Sequence, residues 1–222
     1  MATHKTSEAP ETDPMTFGIP FRKLTSIDLP SGGGSSWGLI GSTRSGKSTC
    51  MLWLWEHLYK EHITVMTTGS IQADIYGPLR KTAAIASEYY PDLIKESMLL
   101  NQKTKNKYPI LHILDDMLDG KNSKSLCKLL TIGRNSALST VICAQEMTIL
   151  NAIGRTNLNY ICLFKLNSDM AIEKVVKCYL RHALPAGSLR DQCMIYKLLT
   201  TNHRFFVVDT LKDEIFLCRL DL

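Results

Sequence analysis

The chain has 222 residues, of which 45% are hydrophobic and 21% charged, close to globular averages; this excludes a largely disordered or collagen-like chain and fits one large α/β domain. A formal net charge of +5 permits a polyanionic partner without requiring one. No stretch approaches the roughly 18 uninterrupted apolar residues of a membrane span, and the N-terminal residues lack the apolar core of a signal peptide.

Residues 1–19 are polar, with Pro10, Pro14 and Pro20 preceding Phe21. They predict a mobile arm ahead of a single domain spanning 20–222. Residues 37–40 (WGLI) read as a short buried strand, 41–49 (GSTRSGKST) as a Gly/Ser loop, and 50–60 as a helix with apolar positions at helical spacing. A strand is expected over 63–68, helices over 77–86 and 91–100, a polar loop after them, and a buried strand over 109–116 (PILHILDD). Residues 123–135 look like an amphipathic helix, 139–145 and 159–166 like strands, and 170–184 and 189–200 like helices. The chain closes on an antiparallel hairpin, 203–210 and 214–220. Strands alternating with helices indicate α/β architecture, a mainly parallel sheet covered on both faces. The seven cysteines stand singly, with no Cys-x-x-Cys. They read as small core hydrophobes in a reducing compartment, and neither a disulfide framework nor structural zinc is expected.

The chemistry begins at Gly41, Ser42, Thr43, Arg44, Ser45, Gly46, Lys47, Ser48 and Thr49, which match G-x-x-x-x-G-K-[ST] between a strand and a helix, the setting a phosphate-binding P-loop (Walker A) needs. Glycines let backbone N–H groups converge on phosphate oxygens, and the helix adds its positive end. Lys47 would reach the β- and γ-phosphates, and the Ser48 hydroxyl would face Mg²⁺. A second, carboxylate-bearing strand is then required, and residues 109–116 supply it as a Walker B pattern. Asp115 would hold the metal through water and Asp116 would orient and deprotonate the attacking water. His112 within that strand reads as a core residue. Gln145, at the end of the 139–145 strand, stands where ligands bind in open α/β sheets and could sense the γ-phosphate. Arg134 and Arg155, each after a glycine, are candidates for the cation that meets transition-state charge. The lysines of two short clusters, Lys103, Lys105 and Lys107, then Lys121, Lys124 and Lys128, are candidate DNA-phosphate contacts. Trp53 and Trp55 read as packing residues on the helix after the P-loop rather than as stacking platforms for bases.

These motifs, in the order GSTRSGKS, ILHILDD, GRNSALSTVICAQE and NAIGRTNLNYICLFKL, resemble the FtsK/HerA superfamily of P-loop ATPases, and within it the genome-packaging ATPases of DNA viruses with double jelly-roll capsids. The resemblance implies a RecA-like core in which the Gln145 strand lies between the P-loop and Walker B strands. It also implies an oligomeric ring, a capsid vertex protein as partner, and Mg²⁺-dependent ATP hydrolysis that drives double-stranded DNA through a central channel. Under it Gln145 is the sensor, Arg134 is the arginine supplied to a neighbouring subunit's nucleotide, and Arg155 is the alternative. Asp116 departs from the Glu of many relatives. The implied location is the host cytoplasm or virus factory, or the virion itself. Two other functions fit a P-loop: a nucleotide-switched DNA-binding or assembly factor, and a nucleotide kinase. The complete set of Asp115, Asp116, Gln145 and a candidate arginine favours hydrolysis over a switch. No arginine-rich lid sequence between residues 63 and 106 supports a kinase.

Overall fold

The structure, a computed structural model, describes residues 16–27, 34–115, 124–147 and 152–220. Apolar runs that are buried along their whole length form the centre of the sheet. These are β1 (Ser36–Ile40), β4 (Ile110–Asp115), β5 (Leu138–Ala144) and β6 (Tyr160–Leu163), in each of which every residue is buried, as expected where helices cover both faces. With β2 (Ile63–Thr68), β3 (Ala84–Ala86), β7 (Arg204–Asp209) and β8 (Glu214–Arg219) they make one eight-stranded sheet in the order β3-β2-β4-β5-β1-β6-β7-β8. The first six strands run parallel. β7 returns antiparallel to β6, and β8 to β7. The expected strand arrangement holds: β5, which leads to Gln145, lies between the P-loop strand β1 and the Asp115 strand β4.

Alternation along the strands divides the core into two layers. On one face Trp37, Leu39, Leu111, Ile113, Val141 and Cys143 pack with Met51 and Leu54 of α1 (Lys47–Leu58). On the other, Ile110, Leu114, Leu138 and Ile142 meet Ile94 and Met98 of α2 (Pro91–Lys103) and Leu126 and Leu129 of α3 (Lys124–Ile132). The same layer continues into α5 (Asp169–Val175), extended by a π-helical turn over Val176–Leu180, and α6 (Leu189–Leu199). Ser188 opens α6 with a reciprocal capping box to Asp191, which satisfies two of the otherwise unpaired N–H groups at the helix start. His112 points into the second layer as expected, its Nε2 3.1 Å from Ser97 Oγ, and burial pushes its imidazole down to about 4. Trp55 is buried, its indole donating to Thr64 Oγ1 at 3.2 Å, and Trp53 stacks on His57.

Some elements differ from the sequence reading. The helix expected over 77–86 is a single 3-10 turn, Leu79–Lys81, followed by β3, which pairs with β2 through Val65↔Ala84 and Thr67↔Ala86. Backbone groups that a helix would satisfy internally instead complete the open edge of β2. A short helix not anticipated, α4 (Ala152–Thr156), precedes β6. Packing begins earlier than residue 20. Thr16 and Ile19 are buried, Leu217 N donates to Pro20 O at 2.8 Å, and Arg22 pairs with Glu214 at 2.6 Å, so this segment straps β8. Of the cysteines, Cys50, Cys143, Cys162 and Cys218 are core residues, whereas Cys127 and Cys193 are half-buried and Cys178 is exposed. No helix among the described residues is long and apolar enough to cross a membrane.

Candidate nucleotide site

The P-loop is fixed by its backbone before any ligand is considered. Gly41 N donates to Ala144 O at the end of β5 (3.1 Å), and Ser42 N to Lys165 O just beyond β6 (2.9 Å). A Cβ on Gly41 would come within 2.6 Å of both Phe164 Cβ and Ser45 Oγ, so only glycine fits there. Gly46, at φ 102°, makes the left-handed turn that starts α1, a conformation L side chains avoid. Lys47 is 7% exposed, and its ammonium donates to Gly41 O (2.7 Å) and Ser42 O (3.0 Å), which holds it across the loop mouth. Ser45 Oγ is buried without a hydrogen-bond partner. A loop at a helix N-terminus with converging N–H groups, a fixed ammonium and a spare buried hydroxyl is chemically suited to phosphate.

Asp115 ends β4 at the same edge, 3% exposed, in register with Thr68 of β2 and Cys143 of β5. The Tyr76 hydroxyl donates to Asp115 Oδ2. Tyr76 comes from the 3-10 turn Asp74–Tyr76 and is itself buried. Burial first, and the adjacent Asp115 next, push its hydroxyl pKa up, while the Thr68 and Ser48 side chains act on the same oxygen in the opposite direction. Burial and Asp115 likewise raise the Cys143 thiol, against the charge of Lys47. Among the described residues no group of three or more His, Cys, Asp or Glu could hold a metal. The donors present, the Ser48 hydroxyl and the Asp115 carboxylate, are hard oxygens beside a phosphate loop. They fit Mg²⁺, which is usually held by one or two carboxylates together with phosphate and water.

Gln145 follows β5 at this edge and is exposed. The structure thus brings together the P-loop, Asp115 and Gln145. Asp116 and Lys121 lie outside the described residues. Arg134 does not join the site. It is exposed in the 3-10 segment Gly133–Ser136 at the start of β5, so the seven residues of that strand put it about 20 Å from its own P-loop at roughly 3.3 Å per residue. Arg155 on α4 lies near that opposite edge, where Asn157 O accepts from Ser36 Oγ at 2.8 Å, and its charge acts on Tyr179. The lysines divide as well. Lys103 ends α2, and Lys105 and Lys107 follow on the loop before β4; all three are exposed at the Arg134 edge, where Asn101 Nδ2 donates to Ser136 O (2.8 Å) and Asn106 Nδ2 to Asn135 O (3.0 Å). Lys124 and Lys128 are exposed on α3, which runs back towards that edge.

A cleft of about 550 Å³ opens beside the P-loop, walled by Arg44–Thr49 on one side and by Asn202, His203, Arg219 and Leu220 on the other, with Ile75, Phe164 and Phe205 between. Asn202 and His203 both adopt left-handed backbone (φ 54° and 59°) in the turn from α6 to β7. These residues, and Tyr76, belong to no motif. The returning hairpin and the β2–β4 pairing bring them to the P-loop, and local sequence carries no signal of that.

The chain matches the family model described as "Poxvirus A32 protein" over residues 83–190, just under half its length. None of the curated proteins matches it by sequence. Among solved structures it is similar to the genome packaging NTPase B204 of Sulfolobus turreted icosahedral virus 2 in complex with ATP-gammaS, with 14% identity, a TM-score of 0.59, and 85% of this chain and 98% of that one covered. The DNA-packaging ATPase B204 of Sulfolobus Turreted Icosahedral Virus is similar at 15% identity and a TM-score of 0.58, covering 82% and 96%. The pCW3 conjugation coupling protein TcpA with ATPgS is similar at 15% identity and a TM-score of 0.61, covering 91% and 70%. With its P-loop, its strand order and these matches, the chain has the fold of the P-loop ATPases and is similar over residues 83–190 to the family described as Poxvirus A32 protein.

Proposed function

We propose that this chain is a Mg²⁺-dependent ATPase that works as a ring and drives double-stranded viral DNA into a capsid in the host cytoplasm or virus factory. The observation that carries the reading is the gathering of Lys47, Ser48, Asp115 and Gln145 at one edge of the sheet while Arg134 stands about 20 Å away at the other. The P-loop N–H groups and Lys47 bind the β- and γ-phosphates. Ser48 and, through water, Asp115 would hold Mg²⁺, which would supply charge neutralisation at the phosphate oxygens. Asp116 takes the proton of the attacking water, and Gln145 reports whether the γ-phosphate is present. Charge that develops on the transferred group needs a further cation. Arg134 is too distant to reach its own P-loop, so it serves a neighbouring subunit, with Arg155 as the alternative. Lys103, Lys105 and Lys107 are the first candidates for DNA phosphate, with Lys121 and Lys124 as second candidates.

Steady-state ATP turnover with and without double-stranded DNA, on protein sized by light scattering, tests this reading. An oligomer whose turnover rises on DNA supports the motor. Turnover indifferent to DNA, with nucleotide binding that only changes assembly, favours the switch. Stimulation by a small phosphoryl acceptor would identify a kinase.

A further inference from the structure

Tyr76 is buried beside the carboxylate that the site offers to a metal. The turn that delivers it is closed by Tyr76 N to Ala73 O (3.1 Å) and Gly77 N to Asp74 O (2.9 Å). Arg80 braces the turn, its guanidinium donating to Ile71 O (3.0 Å) and Ala73 O (3.2 Å). The hydroxyl donates to Asp115 Oδ2, and the side chains of Thr68 and Ser48 act on it too. Ser48 and Asp115 are the two side chains between which the cation would be held. A hydroxyl bonded to one and in reach of the other therefore stands where the cation and its water must come. It also serves a purpose there, since each donor to a carboxylate 3% exposed offsets the cost of burying its charge.

We propose that Tyr76 is a displaceable stand-in for the metal. Its hydroxyl satisfies the buried Asp115 carboxylate, and Mg²⁺ arriving with the nucleotide takes that oxygen from it and releases the Asp74–Tyr76 turn. The neighbouring residue Ile75 lines the nucleotide cleft, so release of the turn couples metal capture to the wall of that cleft. This inference rests on the nucleotide-site reading above. Being neutral, the phenol can be outcompeted by a divalent cation that the phosphates also hold, yet a hydrogen bond to a charged acceptor is strong enough to raise the Mg²⁺ requirement about tenfold.

The test is Mg²⁺ titration of the binding of a fluorescent, non-hydrolysable ATP analogue to the wild type and to Tyr76→Phe. Half-saturating Mg²⁺ should fall about tenfold in the variant. An unchanged or raised Mg²⁺ requirement, while nucleotide still binds, overturns the inference alone; a raised one would mean that the hydroxyl supports Asp115 as a ligand. A wild type that binds no nucleotide at any Mg²⁺ concentration overturns the site reading and the inference with it. A second measurement needs no variant. Amide exchange of Tyr76 and Gly77 in the wild type should be faster with AMPPCP and Mg²⁺ than with AMPPCP in EDTA, and equal or slower exchange overturns the displacement.

Discussion

At the C-terminal edge of the parallel strands, Lys47, Tyr76 and Asp115 are each less than a tenth exposed and already hydrogen-bonded. At the N-terminal edge Lys103 at the end of α2, and Lys105, Lys107 and Arg134 on the turns near it, are exposed to solvent, the turns being held through backbone carbonyls and asparagine amides. The first arrangement suits chemistry on a small, highly charged ligand, where donors must be in place before the reaction and water must be kept out. The second suits contact with another macromolecule, where reach matters more than preorganisation. Strands of six and seven residues, β4 and β5, span the gap. A residue at one edge therefore influences the other through the rigid sheet or, in the proposed ring, through a neighbouring subunit.

The sharpest way to break this contrast is at Arg134. If it completes a neighbour's site, Arg134→Ala should bind ATP normally and hydrolyse it about 10³ to 10⁵ times more slowly, as read by single-turnover assays beside equilibrium nucleotide binding. A variant with wild-type turnover would reduce the arginine to a surface charge. Next in size, Asp116→Asn should retain nucleotide and slow hydrolysis by about 10²-fold or more, because it removes the proposed base and leaves Asp115 in place.

Between the two edges, His112 offers a stability probe. Its folded pKa is pushed down to about 4 from the ordinary 6.5 by burial, so below about pH 6.5 the unfolded chain takes up a proton that the folded chain refuses. Its contribution to stability is thus complete above about pH 6.5, is lost progressively as pH falls towards 4, and amounts to about 3 kcal/mol. Urea unfolding at pH 7 and pH 5 should show a loss that is smaller in His112→Gln; equal losses would mean that other groups set the acid limit. The smallest effect is expected at the exposed edge. Replacing Lys105 and Lys107 by Ala should weaken DNA binding uniformly across sequences and flatten its salt dependence by roughly one unit of log–log slope per lysine. An unchanged slope would move the DNA surface elsewhere, with Lys124 and Lys128 the next to be replaced.

The same contrast governs how much could be read from sequence. The P-loop was legible because strand, loop and helix are contiguous, and each fixed residue type answers a local need, such as the glycine at position 41 where a Cβ would clash. Asp115 was legible because a buried apolar run ends there, and the strand order followed from the resemblance. Tyr76 was not. It meets Asp115 across 39 positions of sequence, and only the pairing of β2 with β4 brings them together. Asn202, His203 and Arg219 reach the cleft only because the chain folds back as a hairpin. The misread stretch 77–86 has the same origin, since the open edge of β2 outweighs local helical preference.

The most direct test of the account combines its two edges in one assembly. Lys47→Ala lacks a working P-loop but keeps Arg134, and Arg134→Ala lacks the arginine but keeps a P-loop. When the two are co-assembled, some interfaces place an intact P-loop beside an intact arginine. ATP turnover by the mixture is the measurement, with mixed oligomers verified by mass. The account predicts that two inactive proteins regain a fraction of wild-type turnover, and mixed oligomers that remain inactive would contradict it and transfer the same test to Arg155.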